Sequence, residues 1–330
     1  MPEGGQQSMD GGTGEEIPLA TETHVVLGTG QVGHAVARHL IARGVAVRVV
    51  NRSGTAPSAL QSAVTAVGAD VSDPVAAREA CEGAAVVYFC LQPPYGRWPD
   101  LFPPLLDGAI DGAAAADARF VMADNCYMYG QTAGPINEDA AVAPPSTKGR
   151  VRAEMAQAVL DVHADGRIGA TIGRASDFYG PGVVASIAGD RLFPPVLDGG
   201  TVWFPGDPDQ PHTYTYVRDF ARALVTLGAH ESALGAVWHV PNSPPLTTRE
   251  FVALAGEVAD TDPTVRGLPS WLLTALGVVL PALGELSETQ YQRTEPFVVS
   301  SEKFEATFDL DPTPHHEALA ATLEWYRSRD

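Results

Sequence analysis

The sequence predicts an α/β fold in which helices cover both faces of a doubly wound parallel sheet, with a smaller domain after it. Two observations predict the sheet. Short apolar runs typical of strands alternate with segments of helical spacing through the first half of the chain. The apolar run at residues 25–27 also leads straight into a glycine turn at 28–33 and then into helical spacing, which is the βα unit that opens such folds.

Three glycines define the turn after the first strand. Gly28, Gly30 and Gly33 match the G-x-G-x-x-G pattern. The first glycine makes the tight turn, the second lets the backbone approach a pyrophosphate, and the third lets the helix pack on the strand. The N-terminus of the following helix favours an anion. With a strand before it and a helix after it, the motif favours a dinucleotide site of the Rossmann type over an ordinary βα turn.

The second strand, at residues 46–50, ends at Asn51 and Arg52. An enzyme specific for NAD usually places an acid here to bind the ribose 2′-hydroxyl. An amide and a guanidinium instead suit a 2′-phosphate. The turn therefore favours NADP(H), and NAD(H) is the alternative if Arg52 is only a solvated loop residue.

The third strand is predicted at residues 63–67, and Asp70 follows it where a side chain reaches the adenine edge of a dinucleotide. Pro74 begins the next helix as an N1 proline, because its missing N–H has no partner to lose there. Asp73 precedes it and is predicted to cap that helix.

The fourth strand is the continuously apolar run at residues 84–91, as expected for a strand buried on both faces. It leads into an aromatic, proline-rich loop at residues 92–98. Ligands bind at the carboxyl ends of the strands in open α/β sheets. The loop is either a wall of the substrate site or a stiff connector.

The remaining elements divide the chain into domains. Further strands are predicted at residues 119–123 and 168–174, a strand that returns to the sheet at 236–240, and helices at 102–116, 148–164 and 317–327. From residue 177 onward, loops rich in glycine and proline predominate. We predict a disordered tail at 1–21, a dinucleotide-binding domain at 22–176 with a returning segment at about 211–243, and a substrate-binding domain at 177–210 and 244–330.

Charge and hydropathy exclude several partners. Forty acidic and 21 basic residues give a net charge of −19, and there is no run rich in lysine or arginine. Neither nucleic acid nor an anionic membrane surface is an expected partner. The apolar stretch at 271–286 is shorter than the roughly 20 residues of a membrane span and contains Pro281. No membrane segment is predicted, and a homodimer stays open.

Three cysteines, without a C-x-x-C pair, fit a reducing cytosol better than a disulfide framework, so we predict a cytoplasmic protein. His315 and His316 form the one close histidine pair. They lie in a polar stretch without a nearby cysteine, and no metal site is predicted.

Several ordered motifs together resemble the extended short-chain dehydrogenase/reductase superfamily, in its NAD-dependent epimerase/dehydratase group. They are the glycine turn at 28–33, Asp70-Val71, Tyr129-Gly130 after the fifth strand, and the runs at 174–182 and 216–221. The resemblance covers about residues 23–327. It implies a Rossmann-type sheet, a bound nicotinamide dinucleotide and a small-molecule substrate.

The family's chemistry uses a Ser or Thr, a Tyr, and a Lys four residues after that Tyr. The resemblance implies that the tyrosine moves a proton to or from the substrate oxygen while the nicotinamide exchanges hydride. If Tyr129-Gly130 is aligned with the family's Tyr-Gly, Asn125 occupies the Ser/Thr position. If Glu154 is aligned with the glutamate that usually follows the family's lysine, Ser146 occupies the tyrosine position and Arg150 the lysine position. No Tyr-x-x-x-Lys sequence occurs in the chain.

The loss of that motif requires another proton donor or the absence of redox turnover. The pKa of a serine hydroxyl lies several units above the phenol value of about 10, and an arginine does not give up its proton. The nearest phenol is Tyr127, whose alternative role is aromatic packing. Lys148 is the nearest lysine, and Asn125 is suited to donate a hydrogen bond to a carbonyl.

A second departure concerns the substrate. In nucleotide-sugar enzymes of the group, an arginine that binds diphosphate precedes the Tyr-Val-x-Asp element, and here His212 occupies that position. Histidine is mostly neutral at pH 7, which makes a nucleotide sugar less favoured. The candidate substrate-binding residues are Pro93, Tyr95, Trp98, Asp177 and His212.

The leading interpretation is an atypical NADP(H)-dependent reductase that acts on a carbonyl or hydroxyl of a small organic substrate. An epimerase, dehydratase or cyclase with a retained cofactor is the second, and a non-catalytic dinucleotide sensor is the third. The candidate catalytic residues are Asn125, Tyr127, Ser146, Lys148 and Arg150. The candidate cofactor-binding residues are Gly28, Thr29, Gly30, Gln31, Val32, Gly33, Asn51, Arg52, Asp70, Val71, Leu91, Gln92 and Ser176.

Overall fold

The computed structural model describes residues 22–132, 134–269 and 288–329. The tail predicted to be disordered and the apolar stretch at 271–286 lie outside them. The strands are β1 (Thr23–Leu27), β2 (Ala46–Asn51), β3 (Thr65–Gly68), β4 (Ala84–Phe89), β5 (Arg119–Asn125), β6 (Ala170–Ala175), β7 (Asp177–Tyr179), β8 (Thr201–Phe204), β9 (Pro211–His212), β10 (Tyr214–Tyr216), β11 (Val237–His239), β12 (Leu246–Thr247) and β13 (Thr264–Gly267).

The helices of the same residues lie between and after these strands. They are α1 (Gln31–Ala42), α2 (Pro74–Cys81), α3 (Trp98–Ala115), α4 (Thr147–Ala164), α5 (Phe193–Leu197), α6 (Val217–Ala229), α7 (Thr248–Ala259), α8 (Tyr291–Thr294), α9 (Glu302–Phe308) and α10 (His315–Arg327). Short 3₁₀ turns precede α3 and follow β2 and α6.

Seven strands form one parallel sheet in the order β11-β6-β5-β4-β1-β2-β3. The chain order reverses between β1 and β4, which is the topological switch point where ligands bind in doubly wound folds. The predicted Rossmann-type sheet is confirmed. The predicted returning strand is also confirmed, since β11 pairs in parallel with β6.

Helices cover both faces of the sheet, and successive side chains of each strand pack against opposite faces. Val26 of β1 belongs to the cluster that includes α1 and α6 side chains, whereas Val25 and Leu27 belong to the cluster with α2, α3 and α4. All three valine and leucine side chains are fully buried. Because these strands are parallel, the carboxyl ends of β1, β4, β5 and β6 lie at one edge of the sheet.

Helix boundaries mostly follow the sequence signals. Asp73 accepts hydrogen bonds from the N–H groups of Val75 and Ala76, so the predicted cap before Pro74 is confirmed. Several boundaries differ from the prediction by a few residues. The third strand begins at Thr65 rather than residue 63, and α3 begins at Trp98, inside the loop predicted at 92–98, because the aromatic ring of Trp98 is buried against Phe102.

The segments after β6 form a further cluster of buried side chains, separate from the two on the faces of the sheet. Tyr179, Phe193, Phe251 and Tyr326 bring together β7, α5, α7 and α10. β13 pairs with β8, and β10 pairs with β7, within this part. It covers the edge of the sheet at which the strands β1 and β4 end.

Candidate active site

The glycine turn has the geometry that a dinucleotide requires. Gly28 has φ +96°, a conformation that side chains other than glycine rarely adopt. A Cβ on Gly33 would lie 2.0 Å from the carbonyl oxygen of Gly28, so only glycine allows α1 to approach β1 this closely. A Cβ on Gly30 would instead point into open space. That opening at the N-terminus of α1 fits a pyrophosphate.

Gln31 connects this turn to the opposite wall of the cleft. Its Oε1 accepts hydrogen bonds from the backbone N–H groups of Val184 and Ala185. Gln31 therefore holds the loop after β7 against the glycine turn. The side chain predicted to contact cofactor also bridges the two halves of the chain.

A small polar depression of about 410 Å³ lies beyond the end of β2. Asn51 organises it: its Nδ2 donates to Thr29 Oγ1 at 3.0 Å, and its Oδ1 accepts from Ser53. Arg52 also lines the depression, is exposed, and has no hydrogen bond or ion pair to any described residue. An exposed guanidinium beside hydroxyl groups is suited to a phosphate.

Asp70 is exposed after β3, close enough to Arg52 to feel its charge, and Val71 beside it is buried. Hydrogen bonds from Ser72 to the Asp70 carboxylate are the main cause that lowers its pKa, and the charge of Arg52 adds to them. Asp70 is therefore ionised at neutral pH.

A cavity of about 820 Å³ opens beside the glycine turn, at the carboxyl edge of the sheet. Twelve of the predicted site residues line it: Gly30, Gln31, Val32, Leu91, Gln92, Pro93, Tyr95, Trp98, Asn125, Tyr127, Ser176 and Asp177. The opposite wall comes from residues 184–191 and 289–297. The loop at 92–98 is thus a wall of the cavity.

Two phenols meet in this cavity. The Tyr95 hydroxyl donates to the Tyr127 oxygen at 2.9 Å, and the ring of Tyr127 stacks on Trp98. Burial is the main cause that raises the pKa of Tyr127 well above its usual value. Tyr127 is therefore a neutral phenol at pH 7, and its own hydroxyl hydrogen is available to another acceptor.

Asn125 ends β5 next to these phenols. Its Oδ1 accepts the backbone N–H of Tyr127, so its Nδ2 is directed elsewhere. Asn125 and Tyr127 both line the cavity. Of the five predicted catalytic residues, these are the two that line it.

The three predicted residues at the start of α4 do not line the cavity. Ser146 caps the helix, since its Oγ accepts the N–H of Gly149 at 3.0 Å. Arg150 is exposed and bonds to Thr147. The alignment that predicted catalytic roles for them is corrected: one side chain is used by the helix terminus and the other lies on the solvent face.

Lys148 is buried behind the phenols. Its Nζ lies 4.6 Å from the centroid of the Tyr95 ring and 3.1 Å from Glu288 Oε1. Lys148 therefore contacts Tyr95, which contacts Tyr127. Lys148 itself is not among the residues that line the cavity.

Arg152, like Arg293, is a buried cation that lines the cavity, and the sequence analysis missed it. Its side chain is 5% exposed, and its guanidinium lies 4.7 Å from the Trp98 ring and 4.3 Å from the Phe102 ring. It donates to Gln92 and lies 3.5 Å from Asp124 Oδ1. A second arginine, Arg174, bonds to the same carboxylate at 3.0 Å.

A sequence signal for Arg152 existed. Residues 148, 152, 155 and 159 follow spacings of four, three and four, which place them on one face of α4, and all four are buried. Arg150 lies about 200° around the helix from Arg152, so the two cannot both face the sheet. Alignment to the family's motif selected the exposed Arg150, whereas helical phase groups Arg152 with the buried residues of α4.

His212 is corrected as a substrate contact. It is buried behind Asp177, with its Nε2 3.2 Å from Asp177 Oδ2 and its Nδ1 3.2 Å from the carbonyl of Gln292. Burial raises the pKa of Asp177, but the close approach of His212 and the charge of Arg293 outweigh burial and leave it lowered. His212 orients an acid that faces the cavity.

A metal-binding cluster and a membrane-spanning helix are both absent from the described residues. No group of three or more His, Cys, Asp or Glu side chains is arranged to hold a metal ion. In the described ranges, no helix has both the length and the apolar character needed to cross a bilayer.

Two family models match this chain. Residues 28–161 match the NAD(P)H-binding family, and residues 107–240 match the NAD dependent epimerase/dehydratase family. Together they span residues 28–240, more than half of the sequence. The chain thus contains an NAD(P)H-binding region and an NAD dependent epimerase/dehydratase region. The predicted resemblance is confirmed, and the glycine turn and cavity described above lie within the matched residues.

Solved structures, an epimerase and a dehydratase among them, share the fold. MoeE5 in complex with UDP-glucuronic acid and NAD is 20% identical, with 93% of this chain and 100% of that chain covered and a TM-score of 0.75. A variant of UDP-glucuronic acid 4-epimerase from Bacillus cereus is 16% identical, with 93% and 100% covered and a TM-score of 0.75. A dTDP-glucose 4,6-dehydratase from Streptomyces venezuelae is 19% identical, with 93% and 97% covered and a TM-score of 0.72. A search of curated proteins gives no match.

Proposed function

We propose that this protein is an NADP(H)-dependent oxidoreductase that acts on a carbonyl or hydroxyl of a small organic substrate. One observation carries the proposal: the neutral phenol of Tyr127 lines a cavity that opens directly beside the glycine turn. A proton donor next to a dinucleotide site is what carbonyl reduction needs. The residues after β6, at 177–210 and 244–330, are assigned to substrate binding, because residues 184–191 and 289–297 supply the facing wall.

The cofactor would be held by the residues that surround the switch point. The turn at 28–33 would bind the pyrophosphate, Asp70 and Val71 would border the adenine, and Leu91, Gln92 and Ser176 would border the nicotinamide half. A bound dinucleotide supplies hydride to a carbonyl carbon or accepts it from an alcohol. The open space above Gly30 and the closed approach at Gly33 support this assignment.

The preference for NADP(H) is supported by the depression at Arg52. Its guanidinium has no partner among the described residues, and the hydroxyl groups of Thr29, Ser53 and Thr55 border the same space. No acid lines this depression to repel a phosphate or to bind a ribose 2′-hydroxyl. The arrangement suits a 2′-phosphate.

Proton transfer in this proposal belongs to Tyr127. Because burial raises its pKa, Tyr127 keeps its proton at neutral pH and favours the reduction direction, in which a carbonyl oxygen takes that proton. Tyr95 donates to the Tyr127 oxygen and would stabilise the phenolate left behind. Asn125 Nδ2 would hold the carbonyl oxygen in place.

The proposal is tested by following NADPH absorbance while the purified protein turns over a panel of aldehydes and ketones. Tyr127→Phe should lower kcat by about a hundredfold or more, the usual contribution of a positioned acid. Tyr179→Phe is the matched control, because it removes a buried phenol that does not line the cavity. Equal activity of Tyr127→Phe and the control would overturn the role of Tyr127.

An epimerase or dehydratase is the second candidate. The epimerase/dehydratase family match covers residues 107–240, which include Asn125, Tyr127 and Asp177 of the cavity. Such an enzyme would return the hydride to its product and show no net change in nucleotide absorbance. Product formed with catalytic, unconsumed nucleotide would favour this candidate, whereas product formed in proportion to NADPH spent would favour the reductase.

A further inference from the structure

Arg152 is a buried cation whose hydrogen bonds are not satisfied by the protein. Its side chain is 5% exposed, and one amino group donates to Gln92 Oε1 at 3.2 Å. The other amino group lies 3.5 Å from Asp124 but makes no hydrogen bond, and Nε makes none either, to any described residue. Buried polar groups without partners are costly, so a native structure that retains them calls for an explanation.

The charges around Arg152 do not balance. Asp124 is a single carboxylate that faces two buried arginines, Arg152 and Arg174. The remaining partner of Arg174 is the hydroxyl of Tyr129, which burial keeps neutral by raising its pKa. Arginine does not lose its proton in proteins. This cluster therefore holds one positive charge that is not neutralised within it.

The unsatisfied donors belong to a side chain that lines the cavity and has little freedom to move. The guanidinium lies over Trp98 and Phe102, which fixes its plane. Gln92 and Asn125 line the same cavity. The side-chain oxygen of each accepts a hydrogen bond, and neither amide nitrogen donates one to a described residue. The Arg152 side chain and these two amides thus line one cavity.

We propose that Arg152 anchors a carboxylate of the substrate, assisted by the amide group of Gln92, while Asn125 remains with the carbonyl oxygen. The inference rests on the proposed function, since it specifies the substrate class of that same cavity. One uncompensated positive charge matches a monoanion, and a planar guanidinium matches a planar carboxylate through paired hydrogen bonds. The substrate is thus a small organic acid with a carbonyl or hydroxyl, in preference to a neutral ketone or a phosphate ester.

The test measures binding without turnover. Benzoate and benzamide share a shape and differ in charge, so calorimetric titration of both into wild type and Arg152→Met isolates the charge contribution. We expect wild type to prefer benzoate, and Arg152→Met to weaken benzoate by about ten- to a hundredfold while benzamide changes by less than about twofold. Arg167→Met, which removes an exposed arginine beyond the far end of the same helix, should change neither.

Folding of the variant is checked in the same samples. Removing Arg152 leaves Asp124 paired with Arg174 as a neutral pair, so the thermal midpoint of Arg152→Met should equal or exceed that of wild type. Benzoate should raise the midpoint of wild type and not that of the variant. Arg152→Lys, which keeps the charge without the planar fork, should retain part of the preference for benzoate.

Three outcomes would overturn the inference. The first is equal binding of benzoate and benzamide to wild type, and the second is stronger competition by inorganic phosphate than by benzoate. The third is weaker binding of NADPH to Arg152→Met with benzoate binding unchanged, which would assign the cation to the cofactor. Titrations with and without NADPH separate this inference from the proposed function. If the protein prefers benzoate through Arg152 but never oxidises NADPH, the anion-binding site is supported and the proposed reductase activity is contradicted.

Discussion

Tyr95 donates a hydrogen bond to Tyr127 at 2.9 Å, while Lys148 lies against the other face of the pair, 4.6 Å from the Tyr95 ring. In the family's pattern a tyrosine and a lysine occupy one helix, four residues apart. Here the phenols come from the loop after β4 and the end of β5, and the ammonium group comes from the start of α4. A phenol and an ammonium group therefore lie close together although the chain lacks a Tyr-x-x-x-Lys sequence.

This pairing predicts a graded effect of the two tyrosines. Tyr95→Phe removes the donor to the Tyr127 oxygen but leaves the phenol that faces the substrate. We expect kcat for carbonyl reduction to fall by about tenfold, the value of one hydrogen bond, with KM little changed. Steady-state kinetics beside Tyr127→Phe measure it, and a Tyr95→Phe defect larger than that of Tyr127→Phe would reverse the assigned order.

The raised pKa of Tyr127 predicts how reduction depends on pH. A group that acts as an acid is active below its pKa, and burial moves the pKa of Tyr127 above its ordinary value of about 10. The kcat for reduction should therefore show no loss from Tyr127 ionisation between about pH 6 and 9. Phenolate absorbance provides the direct check: wild type minus Tyr127→Phe should show no phenolate forming in that range.

The depression at Arg52 predicts a nucleotide preference. Charge-assisted hydrogen bonds contribute about 1.5–3 kcal/mol each, so NADPH should bind roughly ten- to a hundredfold more tightly than NADH. Arg52→Ala should remove most of the difference, and raised salt should narrow it because the group is exposed. Calorimetry at equal ionic strength decides this, and equal affinities of wild type for both nucleotides would contradict it.

Two glycines of the turn predict opposite phenotypes. A Cβ at Gly33 meets the Gly28 carbonyl at 2.0 Å, so Gly33→Ala should lower the free energy of unfolding by about 1–3 kcal/mol or more. A Cβ at Gly30 meets nothing, so Gly30→Ala should leave stability nearly unchanged and weaken nucleotide binding. Urea unfolding and nucleotide titration of both variants form a matched pair, and loss of stability in Gly30→Ala would argue against the open space.

Two buried histidines predict a loss of stability in acid. Burial lowers the pKa of His24 and of His239 from 6.5 to about 4. Each group binds a proton more readily in the unfolded chain, so its contribution is complete above about pH 6.5 and is lost as the pH falls toward 4. Between pH 7 and 5 the loss should be about 1–2 kcal/mol for each histidine.

Urea denaturation at both pH values measures the loss. His24→Asn and His239→Asn should each reduce the difference between the two pH values, whatever their effect at pH 7. In His239 the neutral ring is held by Tyr129 at one nitrogen and the carbonyl of Ser300 at the other. An unchanged pH dependence in the double variant would show that other groups cause the acid loss.

The sequence by itself determined the local elements and the cofactor side of the fold. Alternation of apolar runs with helical spacing gave the sheet, and the spacing of Gly28, Gly30 and Gly33 marked the turn at its switch point. Asp73 before Pro74 gave a helix start that the structure confirms. These features are readable because each depends on residues within a few positions of one another.

The tertiary structure alone decided which side chains face the cavity. Helical spacing separates Arg150 from Arg152, but only the packing of α4 on the sheet shows that Arg152 is the one directed inward. His212 and Asp177 are far apart in sequence, and the strand pairing of β10 with β7 brings their neighbourhoods together. The Tyr95–Tyr127 bond likewise joins two separate loops, because parallel strands end at a common edge, and no local pattern in the sequence encodes that meeting.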